Sequence, residues 1–322
     1  MKKQHSSAVL IYLLVAVIVV SACKPSPENG PQEGALEGTI TVSGAWALYP
    51  LMIRWSEEFQ LLHPGVRFNI SAGGAGKGMA DALVDAVDIG MVSREIYREE
   101  IEKGACGVPV AKDAVFLTVN ENNPVIEDLR KLGITRETLI GIYITGVVTT
   151  WGQVIGKANI VDPIHVFTRS DAAGAPATWA AYLGKAQEDL LGIGVYGDPG
   201  VLEAVIKDPL GLGFNNLNFA FDFFTGEPVI GAFVVPIDIN ENGTVDSDEE
   251  IYSKEQALQA VTTGNYPSPP ARDLYLVTRG KPTGLTGNFI RWTLTDGQQY
   301  VGEVGYISIT MEKLEEALRA LE

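Results

Sequence analysis

Cysteine and histidine are scarce in this chain, and positive charge is in deficit. Of 322 residues two are cysteines and three are histidines. Cys23 and Cys106 make one pair at most, which excludes a disulfide framework and a cysteine-rich zinc site. His5, His63 and His165 leave little material for general-base chemistry, and none stands at zinc-ligand spacing. Lysine and arginine total 24 against 40 acidic residues, a net charge of −16. General nucleic-acid binding, which needs basic stripes, is excluded. No nucleophile–base set is visible, so an enzyme is not expected. What is present is ordinary for a soluble globular protein: 46% hydrophobic and 20% charged residues, enough for one or two cores.

The N-terminus reads as a leader. Lys2 and Lys3 precede an apolar run from Val9 to Val20, too short to span a bilayer comfortably. It ends in Val20-Ser21-Ala22-Cys23, which resembles the lipobox of bacterial lipoproteins. Residues 1–22 are then a signal peptide and Cys23 the lipidated residue. Residues 23–37, rich in proline and glycine, form a tether. That places the protein outside the cytoplasm, held to the cell membrane in the periplasm or on the outer face. Cys106, left without a partner, reads as a small core thiol.

From Gly38 onward β and α patterns alternate. Gly38–Val42 is a strand, Leu48–Leu62 a helix with Leu51, Trp55, Phe59 and Leu62 on one face, and Val66–Ser71 a strand. Next comes the glycine-rich turn Gly73-Gly74-Ala75-Gly76-Lys77-Gly78, a short helix and the strand Asp88–Val92. It is not a P-loop, since Gly78 stands where Ser or Thr is needed. Val108–Asn120, Ile164–Thr168, Gly231–Ile237, Leu274–Val277 and Tyr306–Ile309 read as further strands. Helices are expected at Pro176–Leu183, Asn288–Leu294 and Met311–Leu321. The alternation predicts an α/β fold with a parallel sheet, ligands sitting at the carboxyl ends of the strands. Glycine turns opening into helices leave N–H groups free for a small anion, though such turns are more often plain βα connections. Lys77 reads as solvated, and Arg94 and Arg169 either as ligand contacts or as structural ion pairs with Asp88 or Asp171.

Three segments carry a family resemblance. Ser43-Gly44-Ala45-Trp46-Ala47-Leu48-Tyr49-Pro50 resembles a G-S-T-A-L-x-P turn. Gly73-Gly74-Ala75-Gly76 with Val87-Asp88-Ile89-Gly90-Met91-Val92-Ser93-Arg94 resembles G-G-S-G followed by V-D-I-G-x-A-S-R. Arg169-Ser170-Asp171-Ala172-Ala173-Gly174-Ala175 resembles R-S-D-G-S-G-T. In this order they are similar to the phosphate-binding proteins of ABC phosphate importers, and the resemblance spans nearly all of Gly38–Thr310. It implies a two-lobed type II periplasmic-binding-protein fold with two crossover strands. Lobe one would be residues 38–118 plus 276–322, and lobe two residues 119–275. It implies a monomer that captures an anion, phosphate first, and delivers it to an ABC permease and ATPase. The matching contact positions are Trp46, Ala47, Ala75, Gly76, Ser93, Arg94, Arg169, Ala173, Gly174 and Ala175. The family carries hydroxyls at the positions of Trp46, Ala75, Ala173 and Ala175. Their replacement leaves room for two alternatives, another oxyanion or organic anion behind a roomier apolar wall, or a sensing or interaction lipoprotein with a degenerate pocket.

A separate signal lies in residues 238–249. Asp238, Asn240, Asn242, Thr244, Asp246 and Glu249 stand at the ligand positions of a calcium loop, with Gly243 at its sharp turn. Val245 supplies the aliphatic anchor. Helices do not flank it, so a lone structural calcium stapling an insertion in lobe two is expected. The alternative is an acidic, solvated loop.

Overall fold

The computed structural model describes residues 36–322. The leader, Cys23 and most of the tether fall outside the described residues. Eleven strands are formed: β1 (Glu37–Gly44), β2 (Gly65–Ala72), β3 (Ile89–Val92), β4 (Ala105–Asn120), β5 (Ile134–Thr135), β6 (His165–Arg169), β7 (Ile193–Val195), β8 (Gly211–Asn216), β9 (Ala232–Val235), β10 (Ile237–Asp238) and β11 (Ala271–Arg279). Nine make one sheet in the order β2-β1-β3-β11-β4-β8-β6-β7, with β9 also on β4, while β10 and β5 form a separate pair.

The sheet is parallel at its ends and antiparallel in the middle. β1 runs parallel to β2 and β3, and β6 parallel to β7 and β8. β11 is antiparallel to β3 and β4, and β4 to β8 and β9. The middle strands also divide the core. One buried apolar cluster draws on Ile40 through Ala111 and on Leu274 through Leu321. A second draws on residues from Ala114 to Ala271. The chain therefore passes from one lobe to the other within residues 111–114 and 271–274. There Asp113 pairs with Arg272, and Lys112 with Asp273, in strand register.

Local sequence explains the elements that build the first lobe. The Tyr49–Leu62 helix starts with Pro50 in its first turn, where a missing N–H costs nothing. It buries Leu51, Met52, Trp55 and Phe59, and the Trp55 indole donates to the Gly297 carbonyl at 2.8 Å. Leu62, expected on the same face, is exposed as the last residue of the helix. The strand expected at Tyr306–Ile309 shrinks to one bridge, Lys112 to Ile307, since the Met311–Ala320 helix begins directly after its Thr310 cap. No helix among the described residues is long and apolar enough to cross a membrane.

Candidate functional site

Two helix starts face each other between the lobes. The Ala75–Leu83 helix follows β2 through Gly73-Gly74, and the Gly174–Tyr182 helix follows β6 through Ser170–Ala173. Neither has a side-chain cap, so their first N–H groups and positive dipole ends are left for other partners. Gly74 has φ of 90°, a conformation that favours glycine, and Gly73 and Gly74 both donate to the Gly44 carbonyl. The lobes touch here. Gly76 N–H donates to the Ala172 carbonyl at 2.9 Å. Gly174 lies so close to Ser93 that a Cβ on it would sit 2.1 Å from Ser93 Oγ.

Arg169, at the end of β6, is the charge centre of the crevice. It grips Asp171 with two bonds, at 2.7 and 2.6 Å, and donates from Nη1 to Asp198 at 2.5 Å. Burial works against its charge, but Asp198 and Asp171 outweigh that and hold its pKa above the usual guanidinium value. Asp198 also accepts from the Asn216 N–H at 3.1 Å. The Asn216 side chain in turn accepts from Arg272 Nη2. Arg272 Nε and Nη1 are buried without a partner, as are Asp113 Oδ1 and Trp46 Nε1. Burial pushes the Asp113 carboxyl up to about 6, against the pull of Arg272. The strands joining the lobes are thus tied to the crevice through one buried polar network.

A family description of a PBP superfamily domain matches residues 29–297. The chain belongs to the PBP superfamily. It is 25% identical to the phosphate-binding protein PstS of Bacillus subtilis, over 97% of both chains. It is 24% identical to the PstS of Pseudomonas aeruginosa, over 100% of this chain and 99% of that one. Its fold matches a phosphate-bound ABC transporter substrate-binding protein of Clostridium perfringens with a TM-score of 0.69 at 23% identity, over 85% of this chain and 100% of that one. An ABC-type phosphate transport receptor of Vibrio cholerae matches with a TM-score of 0.60 at 19% identity, over 84% and 100%.

The residues of the crevice come from distant parts of the chain. Trp46, Ala47, Ala75, Ser93, Arg169, Ala173, Gly174 and Ala175 line the crevice together. Gly76 spends its N–H on the opposite lobe instead. Arg94 does not line the crevice with them. Glu100, in the short Arg98–Glu102 helix, takes it with two bonds of 2.9 and 2.7 Å, and it stacks 4.1 Å over the Tyr97 ring. Burial works against the Glu100 carboxylate, but the bonds from Arg94 and the Tyr97 N–H hold it below the usual range. Asp88, the alternative partner, accepts from Thr41 at 2.7 Å. Lys77 is exposed, as expected, and pairs with Asp81 one helical turn on.

Gly74, from the glycine-rich turn, also lines the crevice, as do Asp198 and Asn216, which were not singled out from sequence. Asp198 stands in Gly197-Asp198-Pro199-Gly200, an acidic residue before proline in a first helical turn. Such a pattern signals a helix start and carries no mark of a site. At Trp46 the wall is filled in this conformation. The Trp46 ring packs edge-on to Tyr196 at 6.3 Å and lies against Gly197, across the crevice. No volume is left there for a water molecule.

The 238–249 loop hangs from the β5–β10 pair. Asp238 and Glu249 are buried, and the Asp238 oxygens accept from the Asn242 and Gly243 N–H groups at 3.2 and 2.9 Å. Glu249 accepts from Ile239 at 2.8 Å and Asp246 at 3.1 Å. Asn240 and Asn242 both donate to Asp246, at 2.7 and 2.8 Å. Gly243 has φ of 80°, and Val245 anchors the loop by donating to the Lys131 carbonyl at 2.8 Å. Among the described residues no three acidic, histidine or cysteine side chains gather tightly enough to hold a metal. A cation here would draw on the asparagine oxygens and the Thr244 carbonyl as well.

Proposed function

We propose that this protein is an extracytoplasmic solute-binding protein that captures an anion, phosphate first, between its lobes for an ABC importer. The observation that carries the reading is the convergence of two uncapped helix starts, from opposite lobes, on the buried Arg169. Two positive dipole ends and a guanidinium in one crevice favour an anion between them. The PstS relatives and the phosphate-bound structural neighbour support phosphate as the first candidate. Lipid on Cys23 would keep the protein at the membrane surface beside its permease. The reading is that of a binder and not of an enzyme.

Closure would follow from exchange of contacts. The bond from Gly76 to Ala172 and the Ser93–Gly174 contact hold the lobes together in this conformation. An anion entering the crevice takes those donors for its own oxygens, and the two middle strands act as the hinge. Calorimetric titration with phosphate, sulfate, molybdate and small carboxylates tests the reading, with Arg169→Ala as control. Saturable binding that the variant loses supports it. A folded protein that binds none of them sinks it and leaves the sensing or interaction role, which the filled crevice around Trp46 favours.

The acidic loop is proposed as a calcium staple. The match of all six ligand positions and the turn at Gly243 support this.

A further inference from the structure

The room between the lobes lies beside the crevice, not in it. A cavity of about 540 Å³ is lined by the charged Arg94, Glu95, Lys112, Asp273 and Lys313 and by Tyr275. It also touches Thr178, on the same helix whose first turn walls the crevice. Arg94 follows directly on Ser93, a crevice residue, so the two spaces adjoin. Arg94 is matched by Glu100 and Lys313 by Asp273. Lys112 has no carboxylate within ion-pair distance among the described residues, and it sits on β4 at the passage between the lobes.

This inference rests on the solute-binding reading and narrows it. We propose that the ligand is a phosphomonoester or phosphonate, its charged head entering the crevice and its polar organic substituent lying in the cavity against Lys112 and Tyr275. Three observations lead there. The lobes already touch at Gly76–Ala172 and Ser93–Gly174, yet about 540 Å³ remains open between them. That is the size of a small-molecule site, roughly 300–1,000 Å³, and far more than a bare oxyanion fills. The crevice offers no side-chain hydroxyl at Trp46, Ala75, Ala173 or Ala175, and a substituted phosphorus group presents one terminal oxygen fewer than phosphate for donors to satisfy. Finally, Lys112 and Glu95, neither in an ion pair among the described residues, put one charge of each sign on the cavity wall, which suits a hydroxylated or zwitterionic substituent. The head enters when the Gly76–Ala172 bond parts.

Titration calorimetry with glycerol 3-phosphate, 2-aminoethylphosphonate and inorganic phosphate decides it. At least one organic probe should bind ten times or more tighter than inorganic phosphate. Ala181→Trp, at an exposed position on the cavity wall, should cancel that preference, as should Lys112→Ala. Both variants should keep the Kd for inorganic phosphate within about twofold. Inorganic phosphate binding as tightly as either organic probe overturns the inference and leaves the solute-binding reading intact. Equal weakening of all probes in both variants also overturns it. A folded protein that binds no probe overturns both.

Discussion

Arg169 Nη1 and Asp198 Oδ2 stand 2.5 Å apart, and both side chains are sealed from solvent. With Asp171 the arginine holds two carboxylates before any ligand arrives. The buried group is therefore held in place as much as it is aimed. Removing Asp198 would leave the buried arginine with Asp171 alone and the Asn216 N–H without its acceptor. Asp198→Ala should lower unfolding stability by about 1–3 kcal/mol, the usual cost of leaving a buried polar group unsatisfied. Denaturant melts measure it, and a loss under about 1 kcal/mol would show the pair to be dispensable.

Trp46 fills space where the family carries a hydroxyl. Trp46→Ser returns both room and a donor. A charge-assisted bond is worth about 1.5–3 kcal/mol, so inorganic phosphate should bind roughly ten- to a hundredfold tighter. Calorimetry reads this directly. Unchanged affinity would mean that the ring does not compete with the anion.

Gly174 is a steric gauge of closure. Its φ is not in the region reserved for glycine, so alanine fits its backbone. The added Cβ would meet Ser93 Oγ at 2.1 Å and hold the lobes apart. Gly174→Ala should weaken anion binding while leaving the melting temperature within a few degrees. Small-angle scattering should show a larger radius of gyration. A variant as compact as the parent would count against contact at this point.

Asp113 predicts a pH dependence. Its folded pKa of about 6 lies above the ordinary 3.8. Between those values the folded state binds more protons than the unfolded one, so this group's contribution falls as pH rises and is lost above about 6. The total is on the order of 3 kcal/mol. Denaturant melts from pH 4 to 7 should show wild-type stability falling relative to Asp113→Asn. A rise over that window would reverse the assignment.

Calcium should raise the melting temperature, and Asp238→Ala should abolish the rise. An equal shift in the variant would remove the loop from consideration. Ligand affinity should not change with calcium in either protein, because the loop lines neither the crevice nor the cavity.

Much of the site was legible because its local chemistry is local in sequence. A glycine turn followed by a helix pattern must leave N–H groups at its start, and that logic pointed to the turns at 73–78 and 169–175, while the resemblance supplied the individual positions Ala75, Gly76, Gly174 and Ala175. Strand patterns from β1 to β4 were found within a few residues for the same reason. Arg94 and Asp198 could not be read this way. Whether an arginine meets a ligand or a carboxylate depends on what the rest of the fold carries past it. Glu100 reaches Arg94 from six residues on, and Asp198 reaches Arg169 from twenty-nine.

The sequence by itself determined the α/β alternation, the turns that open the two helices and the acidic loop with its ligand spacing. Those follow from backbone preference and side-chain period, which act over a few residues. Only the tertiary structure decided that Trp46 closes the crevice, that Arg94 is spent on Glu100 and that the open space lies beside Lys112. Those depend on how two lobes pack across β4 and β11, where one ring or one ion pair settles which groups face a ligand.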